Sequence, residues 1–225
     1  MTSRSTSAEG WAREQERTST RSPRVTLDAS PGLLPLLRER RSTRSFDETH
    51  VLADDELRAM LEAARWAPSA GNSQPWAFLV ARRGDAAHQR LVPLLSRGNQ
   101  SWAPRASALV FTLHQVASGP EEDALTYSDY AAYDLGQAVA QLSVQALALG
   151  LVVHQFAGFD HEGLAAQAGV PRHWQVTTGV ALGRELAADE PGDTGARERD
   201  RRPRTRKPLA ELAFGATFGE PVDLG

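Results

Sequence analysis

The chain has 225 residues, of which 41% are hydrophobic and 24% are charged, and its formal net charge is −3. These values are typical of a globular protein, and the slightly acidic balance gives no general attraction to nucleic acid or anionic membranes. Since the chain contains no cysteine, disulfides, thiolate metal sites and cysteine nucleophiles are excluded.

The N-terminus is the first element to interpret. Residues 1–29 are rich in Ser, Thr and Arg and show no sustained periodicity, so we expect a flexible extension. They lack the apolar segment of a signal peptide, and no run of 18 apolar residues occurs in the chain. We therefore expect a cytoplasmic protein with no membrane or nucleic-acid partner, folded over residues 30–225.

Helices and strands alternate irregularly after this extension. Asp54 or Asp55 is expected to cap a helix that Pro68 ends, and shorter helices are predicted at residues 85–95 and after Asp160. Short apolar runs bounded by turn residues predict strands at residues 77–81, 107–114, 151–156 and 176–182. The pattern favours an α+β or mixed α/β fold.

A long helix is predicted over residues 133–149, because apolar side chains recur there at helical spacing. Gln137, Gln141 and Gln145 form a second stripe four residues apart. We expect one face to lie in the core and the other at a partly wet interface. Residues 187–208, which are rich in Gly, Pro and charge, are interpreted as a loop or linker.

A basic run, Arg-Arg-Ser-Thr-Arg at residues 40–44, is the first candidate for chemistry. Guanidinium forks beside hydroxyl groups suit a phosphate, although such a run is also typical of a solvated surface. The second candidate is the sequence APSAGNSQPW at residues 67–76, whose Asn72 and Gln74 offer the donors and acceptors that a heteroaromatic ring edge requires. A capped loop with Trp76 in the core is the alternative.

Together, RRSTRSF and APSAGNSQPWAF resemble the N-terminal half of the nitroreductase family of flavoproteins. The resemblance extends from Leu33 to Phe214 and is supported by the segments GNQSW, YDLG, GFD, ALG and RTRKPL. It implies an FMN-dependent oxidoreductase with a mixed, mostly antiparallel sheet flanked by helices. It also implies an intertwined homodimer whose sites lie between two subunits around the 133–149 helix.

The resemblance assigns one group of residues to the phosphate end of FMN. Arg40 and Ser42 match residues that hold the phosphate and ribityl chain, and Arg41 belongs to the same run. Arg204 and Arg206 match a C-terminal basic pair that closes over the phosphate. The alternative for the basic segment 197–207 is a nucleic-acid-binding or merely solvated tail.

A second group is assigned to the isoalloxazine ring. Arg44 matches the basic residue beside the pyrimidine ring, and Ser69 lies on the loop that faces the flavin. The remaining ring contacts are Asn72, Gln74, Gln155, Phe156, Ala157 and Gly158. The best-known relatives carry an acidic residue at the position of Ala157, so the preference between NADH and NADPH is open. A backbone N–H directed at the flavin does not depend on the side chain, so the resemblance still implies that contact here.

The implied reaction is hydride transfer from NADH or NADPH to FMN, followed by reduction of a nitroaromatic, a quinone or a related small electrophile in a ping-pong mechanism. No side-chain acid or base and no metal is required, so no catalytic side chain is assigned. The same scaffold also supports enone reduction, dehalogenation and azoline oxidation, and a non-catalytic flavin-binding protein is a further alternative.

Overall fold

The structure is a computed structural model that describes residues 32–224, so the predicted extension over residues 1–29 lies outside the described residues. Within that range the helices are α1 (Pro35–Glu39), α2 (Asp54–Arg65), α3 (Ala86–Leu91), α4 (Arg97–Gln100), α5 (Ala131–Ala148), α6 (His161–Ala168) and α7 (Thr194–Arg201). The strands are β1 (Trp76–Arg82), β2 (Ala108–Gln115), β3 (Val152–Phe156) and β4 (Trp174–Gly183).

The strands form one sheet in the order β1-β2-β4-β3, and each pair of neighbours is antiparallel. Val110 of β2 lies opposite Val80 on one side and Val180 on the other, and Val180 in turn lies opposite Gln155 of β3. The four predicted strands and the α+β class are therefore confirmed, and the sheet in the described part of the chain is wholly antiparallel.

Apolar side chains of β2 alternate between two core clusters, as successive residues of a strand must. Leu109 and Phe111 join a cluster with Trp102 and Phe156, whereas Val110 joins a second cluster with residues of α2 and α5. Because both faces of β2 are covered, its sequence is a continuous apolar run, which explains why it was predictable as a buried strand.

Helix α5 confirms the prediction of a long helix with a core face. Leu135, Val139, Leu142 and Ala146 are buried against the sheet, as their spacing predicts. Helix α2 has Ala53 as its N-cap rather than Asp54 or Asp55, which lie in the first turn. Carboxylates in a first turn favour the helix through its dipole, so the two aspartates stabilise this helix end without capping it.

Helix α7 corrects the interpretation of residues 187–208 as a loop or linker. Asp193 caps the helix by accepting a hydrogen bond from the backbone N–H of Ala196 at 3.1 Å. Ala196 alone is buried among residues 194–201, so the helix has no apolar periodicity to reveal it. Over residues 32–224, no helix is both long and apolar enough to cross a membrane.

Candidate functional site

The basic run is held in place by Asp200 of α7. The Asp200 carboxylate accepts hydrogen bonds from the hydroxyl groups of Thr43 and Ser45, at 2.9 and 2.8 Å. It also accepts from the backbone N–H groups of Arg44 and Ser45, at 2.9–3.0 Å. Two donors of the run and two of the following Ser45 are therefore directed at one side chain that lies about 155 residues further along the chain.

Arginine side chains collect beside this anchor. The guanidinium of Arg204 donates to the carbonyl oxygens of Arg40 and Arg38, which ties the C-terminal segment to the run. Arg40 places Nη1 at 3.3 Å from the hydroxyl oxygen of Ser42. Burial, and secondly the positive charge of Arg206, lower the pKa of Arg40 below its ordinary value. Like charges held near each other favour an anion between them.

Trp102 connects the basic run to the end of β3. Its indole contacts the ring of buried His154 with a centroid distance of 4.4 Å, and the guanidinium carbon of Arg44 lies 5.8 Å from the indole centroid. His154 Nδ1 lies 2.9 Å from the carbonyl oxygen of Thr43. Burial lowers the pKa of His154, which favours a neutral imidazole. His154 is thus a packed strand residue that positions Thr43.

The loop over residues 69–74 has a strained backbone. Asn72 and Gln74 adopt positive φ values of 56 and 51°, which are uncommon for residues with a side chain. Gly71 between Ala70 and Asn72 also has a positive φ, of 59°. The hydroxyl of Ser69 accepts from the N–H of Gln74 at 3.0 Å, and the carboxylate of buried Asp134 in α5 accepts from the N–H of Ala70 at 3.0 Å. These bonds fix an exposed polar loop at the start of α5.

The segment after β3 combines core and surface residues. The Phe156 ring is buried at 5.8–6.2 Å from the rings of Trp102, Phe111 and Phe159, so its side chain is directed into the core. Gln155 is exposed, and its amide donates to the hydroxyl of Ser143 in α5 at 3.2 Å. Ala157 is also exposed.

Gly158 lies against the start of α4. Its carbonyl accepts from the N–H of Ser96 and from the side-chain amide of Asn99, both at 2.9 Å. A Cβ at position 158 would lie only 2.7 Å from the hydroxyl oxygen of Ser96. A side chain at position 158 would therefore have to displace the side chains of Ser96 and Asn99, and the two hydrogen bonds to its carbonyl hold the backbone of this segment in place.

Within one chain the predicted site residues form two separate groups. The basic group comprises the run at residues 40–44, Arg204 and Arg206, and Trp102 connects it to Phe156 at the end of β3. The polar loop is bound to α5 at Asp134, whereas Gln155 contacts Ser143, nine residues or roughly 13.5 Å further along the same helix. A cavity of about 400 Å³ lies beside the loop and is lined by Pro68, Ser69, Ala70, Tyr130, Tyr133, Asp134 and Gln137.

Sequence reasoning missed the roles of three residues. Trp102 and Asp134 belong to segments that carry the family resemblance, but their sequence neighbours give no sign of what they contact. Asp200 stands in a segment dominated by arginine, and its neighbours give no sign of the donors that it binds. An N-cap signal at Asp193 could have revealed the helix that carries it.

Comparison with known proteins identifies the class to which this α+β fold belongs. A model of the nitroreductase family matches residues 37–184. An uncharacterised 15.4 kDa protein of Mycolicibacterium smegmatis is 42% identical over 153 residues, which cover 64% of this chain and 99% of that protein. An oxygen-insensitive NADPH nitroreductase of Helicobacter acinonychis is 37% identical over 75 residues, covering 33% of this chain and 35% of that protein.

A solved structure is similar over most of the fold. The crystal structure of an oxidoreductase containing FMN matches with a TM-score of 0.77 and 32% identity, covering 85% of this chain and 96% of the other. The chain therefore belongs to the nitroreductase family.

Proposed function

We propose that this chain is an FMN-dependent oxidoreductase that takes reducing equivalents from NADH or NADPH and reduces nitroaromatics, quinones or related small electrophiles. The observation that carries the proposal is the partly buried Arg40, held beside Ser42 and near the like charge of Arg206. The Helicobacter relative is named an NADPH nitroreductase and the matched crystal structure is that of an oxidoreductase containing FMN, which supports the same conclusion.

The donors of the basic group fit a single phosphate. A phosphomonoester carries about −1.5 to −2 charges at pH 7, which the guanidinium groups of Arg40 and Arg206 would balance. The hydroxyl of Ser42, on the exposed side of the run, adds a neutral donor. Arg204 would act chiefly through the backbone of the run, since its guanidinium donates to two carbonyl oxygens there. One phosphate suits FMN better than a dinucleotide.

The residues assigned to the ring would bind and orient it rather than react. Arg44 is placed by its contact with Trp102, and Ala157 and Gly158 belong to a backbone segment fixed by α4. FMN, when bound, supplies the hydride and electron chemistry that no side chain of this group provides. Neutral His154 keeps the run and β3 in register, so we propose no side-chain acid or base.

We propose a homodimer in which each site combines the basic group of one subunit with the loop over residues 69–74 of the other. The two groups are separated along α5, so a single chain presents only half of each site. Tyr130 and Tyr133, 63% and 68% exposed at the start of α5, offer aromatic area for an interface. Light scattering should give twice 24.4 kDa; a monomer that holds FMN and turns over would contradict the proposal.

The test of the proposed function is release of the cofactor followed by steady-state kinetics. The purified protein should be yellow and should release FMN, not FAD, on denaturation. Because both substrates would use one pocket in turn, double-reciprocal plots at several quinone concentrations should be parallel. A protein that fails to take up added FMN contradicts the cofactor assignment, whereas intersecting lines contradict only the ping-pong order.

A further inference from the structure

Asp200 is an acidic residue beside a site proposed to bind an anion, and the role inferred for it rests on the proposed function. Asp200 is flanked by Arg199 and Arg201 on a helix that leads to Arg204 and Arg206. Simple electrostatics predicts that a carboxylate near the basic group opposes the binding of a phosphate. The hydrogen bonds of Asp200 indicate a different effect.

Residues of the basic run and the residue that follows it, Ser45, differ in what their side chains contact. Thr43 and Ser45 direct their hydroxyl groups to Asp200, at 2.9 and 2.8 Å. The side chains of Arg40 and Ser42 contact each other instead, with 3.3 Å between Nη1 and the hydroxyl oxygen. Asp200 thus binds the hydroxyl groups of Thr43 and Ser45 and leaves Arg40 and the exposed Ser42 available to a ligand.

The run is clamped from two directions at Thr43. Its hydroxyl donates to Asp200 of α7, while its carbonyl oxygen contacts Nδ1 of His154 in β3 at 2.9 Å. A shift of the run would break both contacts at Thr43 and move Arg40 and Ser42 from their positions. Since α7 and Arg204 belong to the same C-terminal segment, the bonds to Asp200 also dock that segment against the run.

We propose that Asp200 is a positioning residue of the FMN phosphate site, which strengthens binding of an anion although it carries a negative charge itself. It does so by fixing the positions of Arg40 and Ser42, and by holding the C-terminal segment that contributes Arg206. The sign of its effect on affinity therefore distinguishes this role from that of a nearby charge.

The test is Asp200→Asn, which preserves size but replaces one acceptor oxygen by an NH₂ donor facing other donors. We expect FMN affinity, measured by flavin fluorescence in titrations of apoprotein, to weaken by about tenfold or more. A purely electrostatic role predicts tighter binding. Glu198→Gln makes the same charge change at an exposed position of α7 and should leave affinity unchanged or slightly higher.

A double-mutant cycle tests whether Asp200 affects FMN affinity through its hydrogen bonds to the hydroxyl groups of Thr43 and Ser45. In a Thr43→Val, Ser45→Ala background the two hydroxyl donors are absent, so Asp200→Asn should weaken FMN binding by a clearly smaller factor than it does in the wild-type background. Equal factors in the two backgrounds, or unchanged or tighter binding in Asp200→Asn itself, would overturn the proposal.

A readout without FMN separates this inference from the proposed function. Trypsin cleavage after Arg201, Arg204 and Arg206 in the apoprotein should become several-fold faster in Asp200→Asn than in the wild type or in Glu198→Gln, because the segment is released from the run. If the wild type binds no FMN, the proposed function fails while the cleavage rates still test the docking role. An unchanged cleavage rate would contradict that role.

Discussion

Replacing both Arg40 and Arg206 by alanine should weaken FMN binding by about a hundredfold or more, with the apo fold intact. Charge-assisted hydrogen bonds of the kind proposed contribute about 1.5–3 kcal/mol each, so loss of two corresponds to at least that factor. The fold should tolerate the change because Arg206 is exposed. Burial disfavours the charged form of Arg40 and lowers its pKa, so removing this guanidinium should not destabilise the fold. Fluorescence titration of the apoprotein with FMN measures the affinity.

Arg90, exposed on helix α3, offers a control for each of the two substitutions because Arg90→Ala removes one arginine charge away from the basic group. This variant should bind FMN like the wild type. Raising the ionic strength should weaken wild-type binding more than binding to the double variant, since the double variant lacks the screened charges. Wild-type affinity in the double variant would show that the two arginines are only a solvated surface.

Trp102→Ala should lower the free energy of unfolding by about 3–5 kcal/mol, the range expected when a buried aromatic side chain is truncated. Trp102 is 2% exposed and contacts the rings of Phe46, His154 and Phe156. The indole also lies beneath the guanidinium of Arg44. The cavity left by Trp102→Ala would therefore form where the core supports the basic run. Urea unfolding of the apoprotein at one fixed protein concentration measures the effect.

Two variants serve as controls for this loss. Trp102→Phe keeps an aromatic ring and should cost clearly less than Trp102→Ala. Trp66→Ala removes an indole that is 72% exposed and should change the free energy of unfolding by no more than about 1 kcal/mol. Equal losses for Trp66→Ala and Trp102→Ala would refute the central packing role of Trp102.

The fold was predictable where burial leaves a local pattern. The continuous apolar run of β2 and the recurring Leu135, Val139 and Leu142 of α5 identified a strand and a helix, because their side chains face a core. Helix α7 was missed since Ala196 is its one buried residue. A helix that is stabilised by its cap and by polar contacts has no apolar periodicity, so the sequence pattern does not predict it.

The candidate site was only partly predictable for a related reason. Residues such as Arg40 and Asn72 stand in compact motifs, so their chemistry could be inferred from neighbours. Asp200 acts on donors about 155 residues away, and nothing in its local sequence indicates that contact. The position of the buried Phe156 ring likewise depends on Gly179 of β4, because a Cβ added at position 179 would lie 2.3 Å from that ring. This constraint is visible only in the three-dimensional structure.

The long span between Arg40 and Arg204, 164 residues, also sets an order of events during synthesis. The basic run leaves the ribosome well before the helix that fixes it and the arginines that accompany that helix, because they lie far downstream in the chain. Contacts so distant in sequence form late, because the intervening chain must close first. On the proposed phosphate site, the nascent polypeptide can therefore complete its four-stranded sheet before it can retain a flavin, so cofactor capture would follow formation of the sheet.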